Sequence, residues 1–257
     1  MRLAIEQQGE GAELVLLHGW GMNSAVWAGF AEDLAADYRV SRIDLPGHGH
    51  SPFDEQHKLT AWAAACLEVA PERAIWIGWS LGSMVALQSA LLAPDRVEGV
   101  VAMAGMPCFV KALNWQHAMA AETLDQFIQT LRKNHRQTLE RFLALQTMNS
   151  VQATRLLKRL KALLRERPEP VPEALQTGLE LLKSVDLRER LGDLSCPTTW
   201  VYGSRDTLAP ASASTDLRRW LPQAEMHILE GAGHTPFLSH PQETAQLLRR
   251  SLGSMHG

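Results

Sequence analysis

Hydrophobic residues along this chain follow two kinds of pattern. Apolar runs of about four to seven residues are typical of buried strands, and stretches in which apolar residues recur every three or four positions are typical of helices. The two kinds alternate, which predicts an α/β fold with a mostly parallel central sheet and helices on both faces. The predicted strands lie at 2–5, 13–17, 39–43, 74–77, 97–103, 198–202 and 225–229.

Turn residues mark where these elements end. Gly9-Glu10-Gly11 separates the first two predicted strands, and a glycine-rich turn between two strands predicts a β-hairpin. The helices that alternate with the strands are predicted at 24–36, 59–69, 81–92, 211–221 and 241–252.

The alternation of strands and helices stops after Pro107. From about residue 119 to 183 the pattern is helical, and Pro168, Pro170 and Pro172 interrupt it because proline ends a helix. We expect residues 107–187 to form a four-helix cap, inserted into an α/β core made of residues 1–106 and 188–257. The cap helices are predicted at 122–131, 135–146, 151–167 and 172–183.

Charge is distributed unevenly along the chain. Its 25 Lys and Arg and 28 Asp and Glu give a formal net charge of −3, whereas residues 107–187 hold 12 basic and 8 acidic side chains. Between Arg132 and Arg167 the sequence has ten basic residues and two acidic ones, Glu140 and Glu166. The predicted cap therefore presents a local basic surface on an otherwise acidic protein.

Composition is that of an ordinary globular enzyme. The N-terminal residues lack the apolar segment and cleavage site of a signal peptide, and the longest near-apolar run, 99–110, is too short to span a bilayer. Three cysteines without CxxC spacing favour neither a disulfide framework nor a zinc site. We expect a cytoplasmic monomer with no membrane or nucleic-acid partner.

The sequence Gly78-Trp79-Ser80-Leu81-Gly82 follows an apolar strand and precedes a helical stretch. This G-x-S-x-G arrangement is typical of a nucleophile elbow, a sharp turn that exposes a serine hydroxyl at the carboxyl end of a sheet. The two glycines let strand and helix approach closely, and the dipole of the helix directs its positive end to the hydroxyl. Ser80 is therefore the predicted nucleophile.

A serine nucleophile needs a base, and the base needs an acid that orients it. Hydrolases with this elbow have the chain order serine, acid, histidine. Asp206 follows the strand predicted at 198–202, and His234 follows the strand predicted at 225–229. Both loops lie at the same sheet edge as Ser80, so the sequence predicts a Ser80–His234–Asp206 triad.

The tetrahedral intermediate of acyl transfer needs hydrogen-bond donors for its oxyanion. The backbone N–H of Leu81 is one predicted donor, and the N–H of Trp20, in the loop at 18–21, is the second. The Trp20 indole is also a candidate for lining the acyl pocket. His48 and His50 have no acidic cluster beside them, so no metal site is predicted, and no cofactor is expected.

These motifs together resemble the α/β-hydrolase fold. The matching segments are 18–21, 44–51, 78–82, the Asp206 loop and 233–237, which extend over nearly all of the chain outside the predicted cap. Three longer runs are similar to the BioH-type carboxylesterases of biotin synthesis, which cleave the methyl ester of pimeloyl-acyl carrier protein. These runs are LLHGWG at 16–21, AIWIGWSLG at 74–82 and ERFLALQTM at 140–148.

The resemblance implies a serine carboxylesterase whose partner is the acyl carrier protein that bears the pimeloyl methyl ester. It implies that the reacting ester contacts Trp20, Ser80, Leu81 and His234. It also implies that a run in the cap lines the acyl channel, namely Phe142, Leu143, Ala144, Leu145 and Gln146. Basic cap residues would bind the acidic carrier: Arg141 matches a family arginine, and the other candidates are Arg136, Arg155, Lys158 and Arg159.

Other functions are compatible with the same residues. A broad esterase for short acyl esters would use the same triad, with the basic cap incidental. A carbon–carbon bond hydrolase of the meta-cleavage type would do so as well. A non-hydrolytic ligand-binding protein can keep a triad on this scaffold, and turnover alone distinguishes it, because a fold does not determine a substrate. Dehalogenases and epoxide hydrolases use an aspartate nucleophile, which Ser80 argues against.

Overall fold

Seven strands form one sheet in the computed structural model, which describes residues 2–255. The strands are β1 (Ile5–Gln8), β2 (Ala12–Leu17), β3 (Tyr38–Ile43), β4 (Ala74–Trp79), β5 (Val97–Met103), β6 (Thr198–Gly203) and β7 (Glu225–Leu229). Their order across the sheet is β1-β3-β2-β4-β5-β6-β7, and every neighbouring pair is parallel except β1 and β3. The predicted α/β fold with a mostly parallel sheet is confirmed.

The predicted hairpin between the first two strands is wrong. β1 pairs with β3, which separates it from β2. A bond from Gln7 Nε2 to the Ser41 hydroxyl, 3.0 Å long, links the paired strands. The turn at 9–11 passes across the start of β3 instead, where a Cβ atom on Gly9 would lie 2.3 Å from the Tyr38 carbonyl oxygen. A glycine is needed there because the two backbones cross.

Helices cover both faces of the sheet. In chain order they are α1 (Ala28–Leu34), α2 (Leu59–Val69), α3 (Leu81–Leu92), α4 (Ala121–Lys133), α5 (His135–Thr147), α6 (Ala153–Leu164), α7 (Pro172–Ser184), α8 (Ala213–Leu217), α9 (Pro236–Ser239) and α10 (Pro241–Met255). α2 and α3 share one apolar cluster with Trp76 of β4, and α1 and α10 share another with Ile75 and Ile77. Within residues 2–255, the helices lack the combination of length and apolar character that crossing a membrane requires.

Residues 107–187 contain α4 to α7, at the places where the sequence predicts helices. α6 begins later than predicted because Gln152 adopts a positive φ of 60°. Where this segment rejoins the core, the Arg188 guanidinium lies 5.9 Å from the ring centroid of Trp115 and 5.5 Å from that of Trp220. We propose that 107–187 is a cap, closed at its base by this cation–π contact.

Two buried histidines, His18 and His48, occupy the loops after β2 and β3. His18 Nδ1 donates to the Gly19 carbonyl and its Nε2 accepts the Leu45 N–H, both at 2.9 Å, so the ring is neutral in a defined tautomer. His48 Nδ1 donates to the Pro46 carbonyl at 2.9 Å. Burial lowers the pKa of both rings, and burial together with the neighbouring His18 ring lowers the pKa of His48 to about 3.

Acid is expected to destabilise the fold through His48. Because its folded-state pKa lies below its ordinary value of 6.5, the unfolded chain binds the proton first, and stability falls as the pH drops from about 6.5 towards 3. We expect His48→Gln to reduce this loss by about 1.4 kcal/mol per pH unit. Urea unfolding of both proteins between about pH 6 and pH 4 measures the difference. Parallel stability curves would contradict a neutral, buried His48.

Candidate active site

The Ser80 backbone adopts a strained conformation between β4 and α3. Its φ of 55° and ψ of −119° are rare for a residue with a side chain. The Ser80 N–H donates to the Met103 carbonyl at 3.0 Å. The Ser80 carbonyl accepts the N–H of Ser83 at 2.9 Å and its hydroxyl at 2.6 Å. These three bonds hold the strained turn, which has the geometry expected of a nucleophile elbow.

Gly78 and Gly82 allow the strand and the helix to meet this closely. A Cβ atom on Gly78 would lie 2.3 Å from the Gly82 carbonyl oxygen, and one on Gly82 would lie 2.4 Å from the Leu17 carbonyl oxygen. These oxygens belong to the backbone of α3 and β2, so making room for a side chain would displace a helix or a strand. Ser80 is thereby placed at the N-terminus of α3, with 2% of its surface exposed.

Asp206 and His234 form a buried hydrogen-bonded pair. His234 Nδ1 donates to Asp206 Oδ2 at 2.7 Å. The other carboxylate oxygen accepts the N–H groups of Leu208 and Ala209 at 2.8 and 3.0 Å, which fixes the carboxylate. With the proton on Nδ1, Nε2 is the nitrogen that can accept one. Nε2 is buried and has no hydrogen-bond partner among residues 2–255.

Trp79, the residue before the nucleophile, links the His234 loop to the elbow. Its indole N–H donates to the His234 carbonyl at 2.7 Å, and its ring lies 5.3 Å from that of Phe237. Trp79 is fully buried. The strand that leads to Ser80 is thus bonded directly to the backbone of His234. Sequence reasoning missed this contact, for which the only signal was an aromatic residue inside the elbow motif.

Leu81 and the loop that carries Trp20 both lie beside Ser80. Leu81 is the first residue of α3, where N–H groups have no partner within the helix and the helix dipole is positive. The loop that carries Trp20 packs on the elbow at Gly19, where a Cβ atom would lie 3.2 Å from Ser80 Cβ. The structure therefore brings the two residues that carry the predicted oxyanion donors close to the serine.

The Trp20 side chain contacts the cap. Its indole N–H donates to the Leu175 carbonyl of α7 at 2.8 Å. Its ring lies 4.6 Å from that of Phe142 in α5, which in turn lies 5.3 Å from the Phe127 ring in α4. Three cap helices and the loop after β2 therefore meet in one aromatic and hydrogen-bonded cluster next to the serine.

The predicted acyl-channel run is divided between two faces of α5. Phe142, Leu143 and Gln146 are buried, whereas Ala144 is exposed and Leu145 is half-buried. The latter two line an outer groove of about 520 Å³ between α5 and α6. With 3.6 residues per turn, five consecutive helical residues cannot all face one channel. Both polar atoms of the Gln146 amide are buried without a partner among residues 2–255, so this amide is available to a ligand.

The predicted carrier-binding cations are exposed but not contiguous. Arg136 is paired with Glu169 at 2.7 Å, near the start of α5. Arg141 lies on the outer groove between α5 and α6. The other three line a groove of about 840 Å³ between α6 and residues 238–242 of the core, and they are Arg155, Lys158 and Arg159.

Known proteins are similar to this chain in sequence and in fold. The α/β-hydrolase fold family matches residues 13–241. The chain is 43% identical over 247 residues to the pimeloyl-[acyl-carrier protein] methyl ester esterase of Photobacterium profundum, covering 96% of this chain and 97% of that protein. It is 41% identical over 254 residues to the esterase of the same name from Methylococcus capsulatus, covering 99% and 100%.

A solved structure gives the same result for the fold. An esterase from Exiguobacterium antarcticum superimposes with a TM-score of 0.87 over 99% of this chain and 96% of that one, at 18% identity. The strained turn at Ser80 and the buried Asp206–His234 pair therefore occur in a chain that matches an esterase over 96% of its length. The protein belongs to the α/β-hydrolase fold family and, within it, to the family of pimeloyl-[acyl-carrier protein] methyl ester esterases.

Proposed function

We propose that this protein is a serine carboxylesterase that hydrolyses the methyl ester of pimeloyl-acyl carrier protein and releases methanol. The observation that carries the proposal is the 43% identity, over 96% of the chain, to an esterase with that name. The strained turn at Ser80 and the hydrogen-bonded Asp206–His234 pair support a mechanism with a nucleophilic serine.

In the first half-reaction, Ser80 Oγ attacks the ester carbonyl carbon while His234 Nε2 takes the hydroxyl proton. Asp206 holds the imidazole through Nδ1 and stabilises the imidazolium. The carbonyl oxygen becomes an oxyanion that accepts hydrogen bonds from the N–H groups of Trp20 and Leu81. The imidazolium then gives its proton to the methoxy oxygen, the carbon–oxygen bond breaks, and methanol leaves an acyl ester on Ser80.

Water completes the cycle at the same atoms. His234 Nε2 takes a proton from water while the water oxygen attacks the acyl carbonyl carbon. The bond to Ser80 Oγ then breaks, and the imidazolium returns its proton to that oxygen. The acyl chain leaves with a free carboxyl group, and the resting enzyme is restored. One base and one pair of oxyanion donors thus serve both half-reactions.

The basic groove along α6 supports an acidic carrier protein as the partner. Arg155, Lys158 and Arg159 are exposed and form no ion pair within residues 2–255. A groove lined by charges of one sign raises the encounter rate with a partner of the opposite sign. The groove lies between the cap and the core, so a carrier bound there touches both.

Hydrolysis of pimeloyl-acyl carrier protein methyl ester tests the proposal, with a short p-nitrophenyl ester assayed alongside. We expect the intact protein to cleave both substrates and Ser80→Ala to lose about 10³-fold or more on each. A cap variant with Arg155→Glu and Arg159→Glu should lose about tenfold or more in kcat/KM on the carrier substrate alone. Added salt should shrink that difference because it screens exposed charges.

The matched control carries Arg218→Glu and Arg250→Glu, the same change of charge on exposed residues of the core. It should equal the intact protein on both substrates. Cleavage of the short ester without turnover of the carrier ester would indicate a general esterase and would contradict the carrier protein as partner. Full activity of Ser80→Ala would remove Ser80 as the nucleophile.

Trp79→Phe isolates the bond between the elbow and the base. The phenyl ring fills most of the same space but has no N–H for the His234 carbonyl. We expect kcat to fall about tenfold on both esters with KM nearly unchanged, because the bond positions the base and does not touch the substrate. The downfield proton resonance of His234 Nδ1–H should shift in the same variant.

Trp200→Phe is the control for Trp79→Phe, since the Trp200 indole donates to Thr198 within its own strand at 3.2 Å. It should leave kcat and the Nδ1–H resonance as they are in the intact protein. An unchanged kcat in folded Trp79→Phe would show that the indole bond has no part in placing His234.

A further inference from the structure

Helix α7 has a glycine, Gly178, in its interior. Glycine is one of the least favourable residues inside a helix, so a packing reason is expected for it. A Cβ atom on Gly178 would lie 2.6 Å from Trp20 Cδ1 and 3.0 Å from Trp20 Nε1. It would also lie 3.3 Å from Leu81 Cδ2. The two side chains that meet this backbone belong to the two proposed oxyanion donors.

The Trp20 side chain is held in place where it meets α7. Trp20 and Leu81 are both fully buried. The Trp20 indole is fixed by its 2.8 Å bond to the Leu175 carbonyl, one turn earlier in the same helix. On another side, the Phe142 ring lies 4.6 Å from the indole. The indole therefore occupies the space beside Gly178, and a methyl group there would displace Trp20 or α7.

We infer that Gly178 is a positioning residue for the oxyanion hole. It lets cap helix α7 rest on the side chains of Trp20 and Leu81, and this contact fixes the spacing of their backbone N–H groups. The inference rests on the proposed function, since it takes those N–H groups as the oxyanion donors. It adds that the cap helps to build the catalytic centre, which is complete only while α7 lies on the core.

We expect Gly178→Ala to weaken stabilisation of the transition state more than binding of the substrate. Displacing a catalytic group by about 1 Å can lower a rate about 100-fold, and removing one oxyanion donor lowers kcat about 10²- to 10³-fold. We therefore expect kcat to fall about 10- to 100-fold, with KM changed less than about threefold. A role confined to folding would lower the melting temperature and leave kcat per folded molecule unchanged.

The experiment uses the full chain, a short p-nitrophenyl ester and an alkyl trifluoromethyl ketone. The ketone carbon bonds to Ser80 Oγ, His234 takes the serine proton, and the ketone oxygen becomes an oxyanion in the hole. Gly178→Ala should lose inhibitor affinity by the same factor as kcat/KM. The matched control is Gly253→Ala, in helix α10, where a Cβ atom meets nothing within 4 Å. This control should lose neither activity nor inhibitor affinity.

A double-mutant cycle tests whether Gly178 acts through Trp20. Trp20→Leu removes the indole that the alanine methyl would meet, and it should itself lower kcat and inhibitor affinity. In that background Gly178→Ala should cost less than about threefold, because the clash is gone. The cycle remains informative if Gly178→Ala alone does not fold. The double variant lacks the indole that the alanine methyl would meet, so it should fold.

Three results would overturn the inference. The first is full activity of folded Gly178→Ala. The second is a double variant whose loss of kcat equals the product of the two single losses, which would mean that the residues act independently. The third is a double variant that fails to fold although Trp20→Leu folds. Failure of the proposed function has a different signature. The intact protein would then fail to hydrolyse the carrier ester. If it still hydrolyses the short ester, the inference about Gly178 stands without the carrier substrate, and if it hydrolyses neither ester, the inference falls as well.

Discussion

The site depends on the contact between β4 and α3, where no side chain separates the strand from the helix. This contact forces Ser80 to a φ of 55°, a strain that costs about 1–3 kcal/mol and is offset by bonds to Met103 and Ser83. The same turn places the Leu81 N–H at the start of α3 and the Trp79 indole against the His234 carbonyl. One turn thus holds the proposed nucleophile, one proposed oxyanion donor and an anchor for the proposed base.

The proposed cap contacts the proposed oxyanion hole as well as the basic groove. Trp20 belongs to the core loop after β2, yet its indole is bonded to α7 and packed against α5. The exposed cations of α6 line a groove between this helix and residues 238–242, and their charge is suited to an acidic partner. The helix proposed to bind the carrier and the helices that contact Trp20 thus belong to the same proposed cap.

Local sequence predicted the strand–turn–helix order at Ser80, and it predicted the loops of Asp206 and His234, because parallel strands present their carboxyl ends at one sheet edge. It mispredicted the pairing of β1, since Gly9 and Gly11 are typical of a hairpin and only contacts distant in sequence place β3 beside β1. The bonds of Trp79 to His234 and of Trp20 to Leu175 each join residues 155 positions apart. Such contacts leave no local pattern. Gly178 is recognisable in the sequence as a glycine inside a helical stretch, but its contact with Trp20 is known only from the fold.

Covalent labelling of the nucleophile tests the central claim most directly. The protein would be treated with a p-nitrophenyl alkylphosphonate, then examined by intact mass measurement, peptide mapping and residual hydrolysis of pimeloyl-acyl carrier protein methyl ester. The expected result is one phosphonyl group per chain, on Ser80, with activity lost in proportion to labelling. A label on another residue, or full carrier-ester turnover by completely labelled protein, would contradict the assignment of Ser80 as the group that attacks the ester.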